Sequence, residues 1–440
     1  MKSLTTWRMA RWVAVAFCGM GLTGSVSAQS WDAPPAEQTE GAFWRTHWYE
    51  RGIEHGNPSF TRRMRINSPE VSLHPRFGKR KEARENGLML IRAEEDLFQV
   101  TAAEYYAELW GGHPGTANKR VSVNGRSIYE VPEVGTEDEH CAYSYPSTPL
   151  KITDLVNGYN AFQWAVDQGS TFWGHAMVDN ACLRVALTNT HPDLGKLGLA
   201  DFRATVEASA FGGDREGFAL RLDTSKTDTI ARVDYQAWFR GYDDNGNLKE
   251  TDWHGFTFKR EPAEWIGSST KEPFAVDWDT SMLPAQKDAA VRAMIRFRDS
   301  TNVVYLTGDS SGLEIRKPAG VAVELFAPRD LPKKFWARAG RLKTCHISLK
   351  MKAASIERAE LYVKSWTGGA GKVEDYFKLN GRHYPVAEGS GHEIQFNRLP
   401  VDADLLKRDD NRIELLSDTE HHGIEIVYPG PALMVRWRTR

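Results

Sequence analysis

The sequence predicts an all-β protein, a multi-domain β-sandwich. Three observations carry that expectation. Apolar residues recur at every second position in many short runs, turns rich in Gly, Asp and Asn separate those runs, and beyond about residue 87 no long segment has helical periodicity. A chain of 440 residues is too long for one core, so two to three domains are expected. The net charge is −2, from 56 Lys and Arg against 58 Asp and Glu, so no overall field favours nucleic acid or an anionic membrane. The compositional outlier is tryptophan, with 15 residues.

Taken in chain order, residues 1–28 read as a cleavable export signal. Lys2, Arg8 and Arg11 precede an apolar run from Val13 to Leu22, and Val26-Ser27-Ala28 forms a small-residue cleavage site. The run is far short of the roughly 20 residues a spanning helix needs. Phe17 before Cys18 does not suit a lipidation site. The expected location is therefore secreted, periplasmic or at the cell surface, with no transmembrane segment after signal removal. In that oxidising setting Cys141 and Cys182 are expected to bridge within one domain, leaving Cys345 as a lone buried thiol. The spacing of the three is not a metal pattern.

Residues 29–86 are rich in Arg, His and Trp and are broken by Pro and Gly. Phe43, Trp44, Trp48, Tyr49 and Phe60 are too many aromatics for a solvated linker, so a packed extension along the first sandwich is expected. Strand signals then follow. "KRVSVNGRSIYEV" reads as a hairpin, Asn124-Gly125 supplying the left-handed turn positions. "AFQWAV" puts Phe162, Trp164 and Val166 on one face, and "AVRAMIRF" does so with Val291, Ala293, Ile295 and Phe297. "FALRLD" and "ARVDYQAWF" alternate likewise.

An internal repeat is visible. "VNGRSIYEV", "LKITDLVNGYNAFQWAV" and "CLRVAL" recur in order as "LNGRHYPVA", "VDADLLKRDDNRIELLS" and "ALMVRW", with "DTEHHGIEI" in the intervening loop. The spacing from Asn124 to Asn160 is close to that from Asn380 to Asn411.

On these motifs both units resemble the galactose-binding-like jelly roll of secreted carbohydrate-active proteins. Residues 200–330, with "ARVDYQAWFRGYDDNGNLKETDWHGF", resemble an immunoglobulin-like or fibronectin-like module. The resemblance implies a jelly roll at 87–190, an Ig-like sandwich at 200–330 and a second jelly roll at 335–440. It is at fold level and supplies only an expectation of function.

Sugar sites pair exposed aromatic faces, which match the C–H face of a pyranose, with carboxylates, amides and histidines for the hydroxyls. The first unit offers Trp110 and His113 in "LWGGHPGT", and Phe172, Trp173 and His175 in "STFWGH". Strand-end loops of a sandwich converge, so these five residues are the candidate carbohydrate-binding set, with Trp110 and Trp173 exposed. The competing reading has Trp173 capping the core and His175 bonding a backbone carbonyl. In the last unit "DTEHHG" carries His421 and His422 but no Trp, and Trp366 of "KSWTGGAGK" is the replacement on offer.

"GYDDNGN" alternates Asp243, Asn245 and Asn247, but Leu248 stands where a calcium loop needs Gly, so a hairpin turn is expected. No metal or cofactor site is expected, and a structural calcium elsewhere stays open. The basic run with Arg76, Lys79, Lys81 and Arg84 suits an acidic polysaccharide or a solvated face. A lyase needs a His or Tyr base beside a cation, and His47, His55, His74, Tyr49 and Arg51 supply those types. Hydrolysis needs two carboxylates, and no spacing singles out a pair. No phosphate-binding glycine loop, HExxH or GxSxG is present. The expected function is exported glycan binding, with polysaccharide or oligosaccharide as partner. The alternatives are a polysaccharide lyase or glycoside hydrolase with its site between modules, and a cell-surface scaffold.

Overall fold

The computed structural model describes residues 40–50, 64–73, 75, 78–79, 87–112, 116–132, 140–168, 174–242, 251–254, 266–300, 302–386, 388, 394–420 and 422–439. These are almost entirely antiparallel β-structure in several packed sheets, a multi-domain β-sandwich. The hairpin forms over Thr116–Val123 and Ser127–Glu130, with Asn124 and Gly125 at φ 50° and 66°. The alternating faces are buried: Phe162, Trp164 and Val166 in one strand, Val291, Ala293 and Ile295 in another. Alternation works here because one face of each strand meets an opposing sheet while the other meets solvent or a neighbour.

The strand Ala42–Trp48 is the seam of a 12-stranded sheet. One edge pairs with His175–Leu187 and the other with Val303–Leu306. The aromatic extension thus supplies a central strand that hydrogen-bonds the first sandwich to the middle segment. Phe43 is fully buried in a cluster with Phe202, Phe297 and Tyr305, the last ring centroid 4.9 Å away. Opposite the first half of this sheet lies a four-stranded sheet, Leu88–Ala93, Gly158–Gln168, Thr116–Val123 and Ser127–Glu130. Between them Tyr105 stacks on Phe162 at 4.7 Å and accepts a 2.7 Å bond from the Trp164 indole. A three-stranded sheet, Ala204–Ala210, Gly217–Thr224 and Val276–Asp279, covers the middle segment.

The last unit is a sandwich of a six-stranded and a four-stranded sheet with its own core. It repeats a detail of the first. Asn124 Nδ2 donates to Asn160 Oδ1 at 2.9 Å and to the Asp154 carbonyl at 2.8 Å. Asn380 Nδ2 donates to Asn411 Oδ1 at 3.0 Å and to the Leu405 carbonyl at 2.8 Å. Asn160 Oδ1 also accepts from Val156 N, as Asn411 Oδ1 does from Lys407 N, both at 2.8 Å. Both pairs satisfy backbone groups where the chain turns into its next strand, a need any sandwich has where a ladder begins. The sequence repeat is therefore a repeated hydrogen-bond clamp.

The first and last units dock directly. Lys364 Nζ, fully buried, donates to the Tyr143 carbonyl at 2.6 Å, and Tyr428 N donates to the Cys141 carbonyl at 2.8 Å. Cys141, Cys182 and Cys345 are buried and not disulfide-bonded, which corrects the expected bridge between Cys141 and Cys182. Cys182 is held in register between Trp48 and Tyr106, while the Cys141 thiol is hydrogen-bonded to the Glu425 carboxyl of the last unit. No helix among the described residues is long and apolar enough to cross a membrane.

Candidate functional site

Where the two units meet, a cavity of about 300 Å³ opens. The first unit contributes Trp110, His175, Met177 and Asp179, and the last unit Trp366, His422 and Glu425. Trp336 and the guanidinium groups of Arg65 and Arg338 complete the polar and aromatic wall.

Each unit brings a Trp and a His to the cavity by the same construction. Trp110 ends the strand Val100–Trp110, and its ring centroid lies 5.3 Å from that of His175, which begins the paired strand His175–Leu187. Trp366 is the penultimate residue of the strand Ile356–Thr367, and its centroid lies 6.1 Å from that of His422, edge to face. Two residues beyond each Trp is a glycine pressed against the backbone of that His. A Cβ on Gly112 would sit 2.1 Å from the His175 carbonyl oxygen, and one on Gly368 would sit 1.9 Å from that of His422. Only glycine allows these approaches.

Trp110 is 8% exposed, which corrects the expectation that it stands free on a sandwich end. The reason is the docked last unit, whose Trp336, Ile394 and Val427 pack on the cluster containing Trp110, Tyr143 and Tyr145. Trp336 and Trp366 are the half-buried indoles of the cavity, and Arg338 lies 5.1 Å from the Trp336 ring centroid. His175 is buried, and its own backbone N–H and carbonyl bond the Thr116 hydroxyl at 3.1 Å each. His113, Phe172, Trp173 and His421 lie outside the described residues, as do Asp243, Asn245 and Asn247.

Two carboxyls face the cavity in different surroundings. Asp179 accepts a 2.9 Å bond from the Tyr143 hydroxyl. Burial, with Asp179 and Glu108 beside it, pushes the Tyr143 phenol well above its ordinary value, so it remains a donor. Glu425 is buried beside Trp366 and Trp336, its register partners. Burial raises the Glu425 carboxyl above its ordinary value, against the opposing pull of Cys141, Trp110 and Arg338.

A second, more open cavity of about 610 Å³ contains His47 with Arg45, Arg92 and Lys196. His47 Nε2 meets Glu95 Oε1 at 2.9 Å, and Arg45 spans Glu95 and Asp193 at 2.9 Å each. Burial opposes ionisation of Glu95, but His47 and Arg45 hold it below the usual carboxylate range. Here the basic groups are met by carboxylates of the protein, since Lys196 pairs with Asp193 and Arg92 with Glu94. Of the other lyase candidates, Tyr49 is in the core, while Arg51, His55 and His74 lie outside the described residues. Of the basic run, Lys79 is described, and Arg76, Lys81 and Arg84 are not. Among the described residues no cluster of three or more His, Cys, Asp or Glu is placed to hold a metal.

No protein-family model matches the chain, and no curated protein matches it. Among solved structures it is similar to a beta-porphyranase of glycoside hydrolase family 86 from the human gut bacterium Bacteroides plebeius. That alignment has 14% identity, covers 55% of this chain and 37% of the other, and has a TM-score of 0.24. For BuGH86wt in complex with neoagarooctaose the identity is 11%, the coverage 53% and 33%, and the TM-score 0.23. A putative membrane anchored protein from Corynebacterium diphtheriae aligns over 90% of this chain and 88% of its own, at 9% identity and a TM-score of 0.13. The chain spans about a third of the length of the two glycoside hydrolases. Likeness at this level assigns neither family nor activity.

Proposed function

We propose that this protein is an exported glycan-binding component of polysaccharide recognition or use, and that it holds a sugar in the cavity between its first and last units. The carrying observation is the wall of Trp110, Trp336 and Trp366 around a space of about 300 Å³ that also presents His175, His422, Arg65, Arg338 and Asp179. Indole faces suit the apolar side of a pyranose, and the polar groups at their rims suit its hydroxyls. Trp366 and Trp336 are the stacking surfaces in this reading, and Trp110 is the buried floor. A scaffold with no ligand would have no use for half-buried indoles, histidines and charges converging on one open space.

The test is retention of the protein on columns of neutral and acidic polysaccharides. Wild type is expected to be retained on at least one polymer. Trp366→Ala, still folded under the assay conditions, is expected to weaken that retention by about thirtyfold, the effect of removing one central aromatic anchor. Equal retention of the variant and wild type would refute the location of the site.

A further inference from the structure

The cavity contains more than a binding wall requires. Resting on the reading that a sugar occupies it, we infer that the cavity is a hydrolytic centre for a glycosidic bond, with Glu425 as proton donor and Asp179 as the base that activates water.

Glu425 has the surroundings of an acid. Its carboxyl accepts hydrogen bonds from the Cys141 thiol and the Trp110 indole. Oε1 is buried with no hydrogen-bond partner among the described residues, and the residue lines the cavity. A buried carboxyl oxygen without a hydrogen-bond partner is costly in the ionised form, which favours a proton on this carboxyl. Burial among indoles also favours the protonated form, raising the carboxyl above its ordinary value. The buried carboxylates of Glu95 and Glu360 are instead closed off by partners. Arg45 and His47 hold Glu95, and Arg398 and Tyr362 hold Glu360.

Asp179 has the opposite surroundings. It is half-buried, lines the same cavity from the other unit, and is fixed by the Tyr143 hydroxyl. Two carboxyls lining one sugar-sized space are the pair of groups that glycoside hydrolysis uses. Glu425 gives its proton to the glycosidic oxygen as the bond from C1 to that oxygen breaks, and the oxygen keeps the electron pair. A water oxygen forms the new bond to C1 and passes one proton to Asp179. That proton returns to Glu425 through solvent, so each event consumes one water and leaves two chain ends. No metal or redox partner is needed for this balance.

The comparison between the two units strengthens the assignment. In the first unit the residue in register with the cavity Trp110 is Met177, whereas in the last unit the residue in register with Trp366 is Glu425. A methionine would fill that position without any cost of burial, so the carboxyl is specific to one copy.

The experiment incubates the full chain with xylan, galactan, agarose, polygalacturonate and chondroitin sulfate, and reads retention and new reducing ends in the same samples. Wild type is expected to shorten a polymer that retains it. Glu425→Gln and Asp179→Asn are each expected to lower release of ends by roughly a hundredfold or more, with both variants folded and retention reduced far less than release. Retention without new ends on every polymer overturns the catalytic inference and leaves the binding reading standing. Release unchanged in Glu425→Gln overturns the assignment of the acid. Ends carrying the absorbance of an unsaturated uronate overturn hydrolysis in favour of elimination. Neither retention nor release overturns both readings.

Discussion

The first and last units use one clamp and one site construction, yet they differ at the positions that matter most. Both have the Asn pair, a Trp at or next to the end of a long strand, the glycine two residues on, and the His pressed against that glycine. Two residues before the Trp, the first unit has buried Glu108, bonded by Tyr106 and Asn180, and the last has buried Lys364, which reaches across to Tyr143. In register with the Trp, the first has Met177 and the last Glu425. The scaffold tolerates exchange at these points because the clamp, not the cavity residues, starts the strands. Repetition keeps the architecture, and divergence at the strand ends makes two faces that fit each other and enclose a polar cavity.

That comparison can be tested by substitution. The largest effect is expected at Trp110, which floors the cavity and packs in a buried cluster. Trp110→Ala should cost about 3–5 kcal/mol in urea unfolding, and Trp366→Ala clearly less. Equal costs would mean that the two tryptophans are not divided into floor and wall. Next are Asn160→Ala and Asn411→Ala, both at fully buried positions. Each removes bonds to backbone groups and should cost about 1–3 kcal/mol, by similar amounts in the two units. A large inequality would break the equivalence of the clamps.

The smallest effect sharpens the contrast between Met177 and Glu425. Because burial raises Glu425 in the folded protein above its ordinary 4.5, the folded state binds that proton more tightly than the unfolded chain. Its contribution to stability therefore falls as pH rises from 4.5 through the raised folded value. Glu95 has the opposite sign, being held below its ordinary value, so its contribution is lost on acidification. Unfolding curves of wild type and Glu425→Gln from about pH 4 to 8 should diverge toward high pH, with wild type losing ground. Parallel curves would show that Glu425 is not shifted by its site.

Much of the fold was legible because strand burial follows period-2 alternation directly, as at Phe162, Trp164 and Val166. The repeat was legible because the clamp uses asparagine side chains that are hard to replace. The site was half legible. Trp110 and His175 could be paired because adjacent strand ends converge within one sandwich. The burial of Trp110 could not be foreseen, since it comes from docking of a unit distant in sequence. Glu425 was missed because "IEI" reads as an ordinary strand with its carboxylate toward solvent. A usable signal was nonetheless present: the Trp-x-Gly spacing in both "LWGG" and "SWTGG". The seam strand was also read only as packing, since aromatic content marks burial and says nothing about which two sheets a strand will join.

The central claim is that the space between the two units holds a sugar. The most direct measurement is a tryptophan-fluorescence titration with oligosaccharides from whichever polymer retains the protein, on wild type and Trp336→Ala and Trp366→Ala variants. The account predicts a saturable spectral change in wild type that is weakened by about thirtyfold in each variant. Saturable binding with the same midpoint in all three proteins would contradict it, and would place the glycan elsewhere on the molecule.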